Sequence, residues 1–152
     1  MLKTSLFTVA ILLSNLLFSQ KENKPYTAID TNIFSDAANH WNGIYDKSKV
    51  IQPKPNQPRY KSTELVAIAD NILLYQKDNG GWPKNYDMQA ILTPDQKDSL
   101  IKDKHHLNTT FDNRTTYSQI ACLANIYSVT KDERYKVAAL KGFDYILLNM
   151  QL

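Results

Sequence analysis

Residues Thr116 to Met150 read TYSQIACLANIYSVTKDERYKVAALKGFDYILLNM, two apolar-striped segments joined by four residues of capping type. In the first, Tyr117, Ile120, Ala121, Ala124 and Tyr127 recur on one face, with Leu123 and Ile126 widening it. That spacing predicts a helix from about Thr116 to Val129 that packs on more than one side. Thr130-Lys131-Asp132-Glu133 has the form of a capping box. It opens a helix whose face is Tyr135, Ala138, Ala139, Gly142, Phe143, Ile146, Leu147 and Met150. Gly142 inside it costs about 1 kcal/mol relative to alanine, which predicts a close helix crossing at that point.

Upstream the same signals recur. Thr93-Pro94-Asp95-Gln96 places a hydroxyl cap, a proline at the first helical position and a glutamine at the third; the body, DQKDSLIKDK, is largely charged and belongs outside. Leu65, Ile68, Ala69, Ile72 and Leu73 mark an earlier helix, with Ser62 as its N-cap and Gly80 and Pro83 as its stop signals. A short helix carrying Ala37, Ala38 and Trp41 follows Ser35 or Asp36. Pro53, Pro55 and Pro58 make residues 51–60 a wrapped, ordered connection or a linker. No segment outside the helices alternates apolar and polar residues over a useful length, so the expected fold is all-α. ADNILLYQ from Ala69 and FDYILLNMQ from Phe143 repeat one helix end, which implies stacked helical hairpins. The first copy runs on into Asp78-Asn79-Gly80-Gly81-Trp82-Pro83 and the second stops at Leu152, so an incomplete array is expected.

Lys3 and the apolar run from Leu6 to Phe18 form a secretory signal peptide in residues 1–19, with cleavage between Ser19 and Gln20. Residues 20–60 form an N-terminal extension and proline-rich connection, and residues 61–152 the helical-repeat part. A secreted, monomeric chain with no membrane association after signal removal is expected. The 43% hydrophobic content excludes wholesale disorder. A net charge of +3, one unit less without Lys3, is too small for a nucleic-acid stripe. The single cysteine, Cys122, cannot close an internal disulfide and lies between apolar residues, as a core thiol would. His105 and His106 lack a second ligand pair and read as solvated.

Two stretches carry chemistry. QKDNGGWPKN, Gln76 to Asn85, concentrates two of only four glycines beside Trp82, Pro83 and Lys84. HHLNTTFDNRTTY, His105 to Tyr117, places Asp112 and Asn113 just before a helix. If Thr116 caps that helix through a box with Gln119, Asp112 and Asn113 are free to offer oxygens to a hard cation such as Ca2+.

The segment RYKSTELVAIADNILLYQKDNGGWPKNYDM, followed by NTTFDNRTTYSQIACLANIYSVTKDERYKVAALKGFDYIL, resembles the N-terminal part of family-10 pectate lyases from about Trp41 to Gln151. The resemblance implies an α/α toroid of helical hairpins, here incomplete, and calcium-dependent β-elimination of polygalacturonate. Asp112 matches the metal-binding aspartate; Lys84 would face the uronate, Trp82 would stack on a sugar or brace its loop, and Asn113, beside the metal ligand, would bind substrate. The family's catalytic arginine would lie beyond Leu152, so no catalytic residue is assigned, and the chain is expected to be an inactive lyase fragment. Arg114 stands where the family usually has glycine, whose freedom permits a positive φ. Binding of acidic polysaccharide without catalysis, or a degenerate structural remnant, are the alternatives. Gln76, Gly80 and Trp82 also fit the Q-x-x-x-G-x-W repeat of terpenoid cyclases; the shared motif points to a glutamine and a tryptophan that tie hairpins together.

Overall fold

The computed structural model describes residues 25–43 and 49–150, which hold five α-helices and two short 3-10 turns joined by irregular segments. The expected signal peptide, residues 1–19, lies outside the described residues. The helices are α1 (Ser35–Gly43), α2 (Leu65–Tyr75), α3 (Pro94–Lys102), α4 (Tyr117–Thr130) and α5 (Glu133–Asn149). Among the described residues there is no sheet, only an isolated antiparallel bridge between Arg59 and Ala90. The all-α class is therefore as expected.

Local chemistry explains most boundaries. Thr93 accepts from the Gln96 backbone N–H at 3.3 Å while the Gln96 side chain accepts from the Thr93 N–H at 2.9 Å, so the capping box at α3 is formed with Pro94 inside it. The two residues between α4 and α5 divide the work differently from the expected box at Thr130. Lys131 takes the left-handed conformation that closes α4, and Asp132 caps α5 by accepting from the Arg134 N–H at 3.0 Å. Thr130 instead donates its hydroxyl to Ile126 O inside its own helix. Ser62 does not cap α2 either: its carbonyl accepts from Ile29 N at 2.9 Å, and Glu64 occupies the N-cap without a side-chain capping bond, its carboxylate accepting instead from Lys61 N at 2.6 Å.

The core joins Ile68, Ala69 and Ile72 of α2 to Cys122, Leu123 and Ile126 of α4 and to Tyr135, Ala138 and Ala139 of α5. On α4 the expected face is rotated. Tyr117 is 49% exposed and Ala121 and Ala124 face solvent, whereas Ser118 and Gln119 are buried. On α5 the face is right as far as Gly142, but Phe143, Leu147 and Met150 are exposed. Gly142 does lie at a close approach: a Cβ there would meet the Trp82 ring at 2.6 Å and Ile120 at 2.8 Å.

The proline-rich segment is an ordered connection laid against the helices. Tyr60 N donates to Gln89 O at 2.7 Å, Ile91 N to Pro58 O at 2.8 Å, and the Trp41 indole to Ile51 O at 3.1 Å. These bonds satisfy backbone groups that prolines cannot pair in a regular element.

Candidate functional site

α2 ends at Tyr75, and the chain turns through the glycine-rich loop. The Gln76 side-chain amide donates to Gly80 O at 2.9 Å and to Ala138 O of α5 at 2.8 Å, closing the loop and tying it to the neighbouring helix. Gly80 sits at φ +94 with Lys141 backbone against it, a position closed to any side chain. Lys104 donates to the carbonyls of Leu73 and Gln76 at 2.9 Å and of Leu74 at 3.3 Å. A cation thus covers the orphan acceptors and negative pole at the end of α2. Burial holds the Lys104 amine below the ordinary lysine range. The buried Lys77 ammonium pairs with Asp103.

Trp82 is fully buried, its indole N–H donating to Ile72 O at 2.8 Å and its ring lying against Gly142. It braces the loop and presents no face to a sugar. Thr116 explains how the second stretch is joined to the first: it is fully buried, accepts from Trp82 N at 3.3 Å and donates to Thr110 O at 2.9 Å. Its hydroxyl is spent on this staple, so the expected Thr116–Gln119 capping box is not formed.

Lys84 emerges from the braced loop with its side chain 49% exposed, and its ammonium lies 3.5 Å from Asp112 Oδ2, on a carboxylate that is 60% exposed. Asp112 Oδ1 accepts from Asn113 N at 2.9 Å, and Asp112 N donates to Thr110 Oγ1 at 3.0 Å. The fold thus brings Lys84, Asp112 and Asn113 together and leaves Trp82 inside. Asn113 and Arg114 take positive φ, 51 and 61, so arginine occupies the backbone conformation that glycine would have adopted without strain.

Sequence reasoning missed the residues that the fold brings from the N-terminal segment. Asn32, Ser35 and Asp36 line a groove of about 460 Å³ together with Asn113 and Arg114. No local motif links positions so distant in sequence. A larger groove of about 610 Å³, lined among others by Glu64, Val66, Asp70 and Leu74, holds none of the loop residues. Its Asp70 is already engaged by Tyr135 at 3.0 Å and Arg134 at 3.3 Å, so the smaller groove has the more available charge.

Cys122 is 2% exposed, and burial pushes its thiol pKa up to about 12, in keeping with a core role. His105 and His106 are exposed. Among the described residues no group of three or more His, Cys, Asp or Glu side chains is placed to hold a metal. Asp112 supplies one carboxylate, already facing an ammonium, where calcium takes six to eight oxygens. These residues do not by themselves make a calcium cage.

The model of the pectic acid lyase family matches residues 76–152, half of the chain, beginning at the first residue of the glycine-rich loop. The chain belongs to that family. No curated protein and no solved structure matches it.

Membership does not bring the activity with it, and four expectations are corrected. The match begins at Gln76, so it does not extend over Trp41 to Gln151 as the family-10 pectate lyase resemblance did. The described residues are helical and sheet-free, without the parallel β-helix typical of pectate-lyase catalytic architecture. The reading of the chain as an inactive fragment of a calcium-dependent pectate lyase, the open question of pectate lyase activity that the resemblance raised, and the description of the chain in terms of lyase and pectin degradation are therefore set aside.

Proposed function

We propose that this chain binds acidic polysaccharide of the polygalacturonate type, without cleaving it, at the corner formed by Lys84, Asp112 and Asn113. The observation that supports this most is the Lys84–Asp112 pair, half exposed and 3.5 Å long at the end of a loop fixed by Gln76, Lys104 and Trp82. An exposed ion pair contributes only about 0–1 kcal/mol, so a uronate carboxylate can replace Asp112 beside Lys84 at little cost. The rigid loop keeps the ammonium in place, which reduces the ordering cost of binding. Asn113 adds an amide able to donate to, or accept from, sugar hydroxyls.

Calcium enters this reading as a shared ion. Asp112 would provide one ligand and the uronates most of the others, giving affinity that depends on both protein and polysaccharide. The apolar run at the start of the chain supports export to the compartment where such polymers lie. Among the described residues no helix is long and apolar enough to cross a membrane. The α4–α5 hairpin packed on α2, with matching helix ends at Tyr75 and Asn149, supports an α/α toroid-like array of hairpins.

Electrophoretic retardation in a polygalacturonate gel tests the proposal. The chain should be retarded, Lys84→Ala should lose most of the retardation, and Asp112→Ala should remove whatever part depends on added calcium. An unretarded wild-type chain, or a Lys84→Ala chain held as strongly, would sink it.

A further inference from the structure

Arg114 stands beside Asn113 in a backbone conformation that does not suit it. A non-glycine residue with φ +61 is held in a left-handed conformation that arginine adopts poorly, and the long side chain offers no local hydrogen bond to offset it. The side chain is exposed and, among the described residues, forms neither an ion pair nor a hydrogen bond. The Asn32 and Asn113 side-chain amides are likewise without an intramolecular partner there. All three line the groove of about 460 Å³, together with Ser35 and with Asp36, whose carboxylate lies 3.5 Å from His40.

We propose that this groove is a second sugar subsite, in which Arg114 pairs with a uronate carboxylate while Asn32, Asn113 and Asp36 hold the hydroxyls of the same residue. A planar guanidinium matches a carboxylate through two parallel N–H donors, a geometry that the point charge of lysine does not reproduce. The amides can donate and accept, and a carboxylate such as Asp36 accepts from hydroxyls while repelling a second acid group. The combination reads an acidic sugar in one orientation: acid toward Arg114, hydroxyls toward Asn32 and Asp36. Asn113, which lines this groove, is the chain neighbour of Asp112, the partner of Lys84, so the groove would take a neighbouring unit of the same polymer.

The inference rests on the proposed binding of acidic polysaccharide, and the two can fail separately. Titration calorimetry would use oligogalacturonates of defined length and their methyl esters, with wild type, Arg114→Gly, Arg114→Lys and Asn32→Ala. Arg114→Gly should weaken binding of the acid oligomers about tenfold, the loss of one charge-assisted contact, and Arg114→Lys should restore only part of it. Methyl esters should bind wild type and Arg114→Gly alike. Because glycine fits φ +61 without strain, the Arg114→Gly chain should melt no lower than wild type, which separates lost recognition from lost folding. Wild-type binding with no change in Arg114→Gly overturns the second subsite and leaves Lys84 in place. No wild-type binding overturns both.

Discussion

Trp82 shows how one residue type can be visible in a sequence while its task is not. A tryptophan after two glycines is equally suited to a sugar platform or an internal brace, since both uses depend on a large ring with one polar edge. What decides is Gly142, sixty positions downstream, where the absent Cβ leaves room for the ring. Gly142→Ala should destabilise the chain by about 1–3 kcal/mol, because the added methyl meets an aromatic ring on one side and Ile120 on the other. Trp82→Ala, which removes the ring and leaves a void, should cost about 3–5 kcal/mol. Lys84→Ala should stay within about 0.5 kcal/mol of wild type, since its partner is an exposed carboxylate. Urea unfolding of the three variants checks the order, and equal midpoints for Trp82→Ala and Lys84→Ala would contradict the buried brace.

Helices were the most legible level, because caps and apolar periods are local. Thr93, Pro94 and Gln96 announced α3, and Thr93→Ala should cost about 1 kcal/mol. At the α4–α5 turn the hydroxyl expected to cap, Thr130, lies two positions before the residue that does, Asp132. Thr130 and Asp132 are both capping types, and only the left-handed turn at Lys131 decides that the aspartate starts the second helix. On α4 the polar pair Ser118 and Gln119 faces inward, where Ser118 donates to the Gln119 amide oxygen. Buried polar groups of this kind break an apolar stripe and hide the true face of a helix. The cap also carries a pH signature. Hydrogen bonds from the Arg134 side chain, then from its backbone, hold the Asp132 carboxyl below the usual aspartate range. A depressed folded value contributes stability above the unfolded pKa and loses it as pH falls through the folded one. The melting-temperature gap between wild type and Asp132→Ala should therefore be full at neutral pH and shrink in acid; a gap constant down to pH 2 would argue against the carboxylate as the cap.

At the scale of the whole molecule, legibility ends where distant segments meet. The groove that joins Asn32 and Asp36 to Asn113 and Arg114, and the bonds that press residues 58–60 onto residues 89–91, depend on tertiary packing that no local window contains. Whether these segments and the helices form one cooperative unit can be read from the lone cysteine. Cys122 lies in the interface between α4 and the rest of the core, against which Tyr26 from the N-terminal segment also packs, with its thiol raised to about 12 by burial. At pH 8 such a thiol is both inaccessible and protonated, so a disulfide reagent should react with it orders of magnitude more slowly than with the unfolded chain. Through a urea titration, the reactive fraction should rise together with the loss of helical circular dichroism, because one transition exposes both. Labelling that runs well ahead of the helix signal would show the N-terminal segment opening alone and remove the case for a single folding unit. Alkali supplies the independent sign: a thiol raised in the folded state favours folding below its unfolded pKa and loses that contribution toward pH 12. Cys122→Ala should therefore narrow the alkaline fall in stability, while Cys122→Ser, which keeps the volume but not the acidity, should narrow it to the same degree.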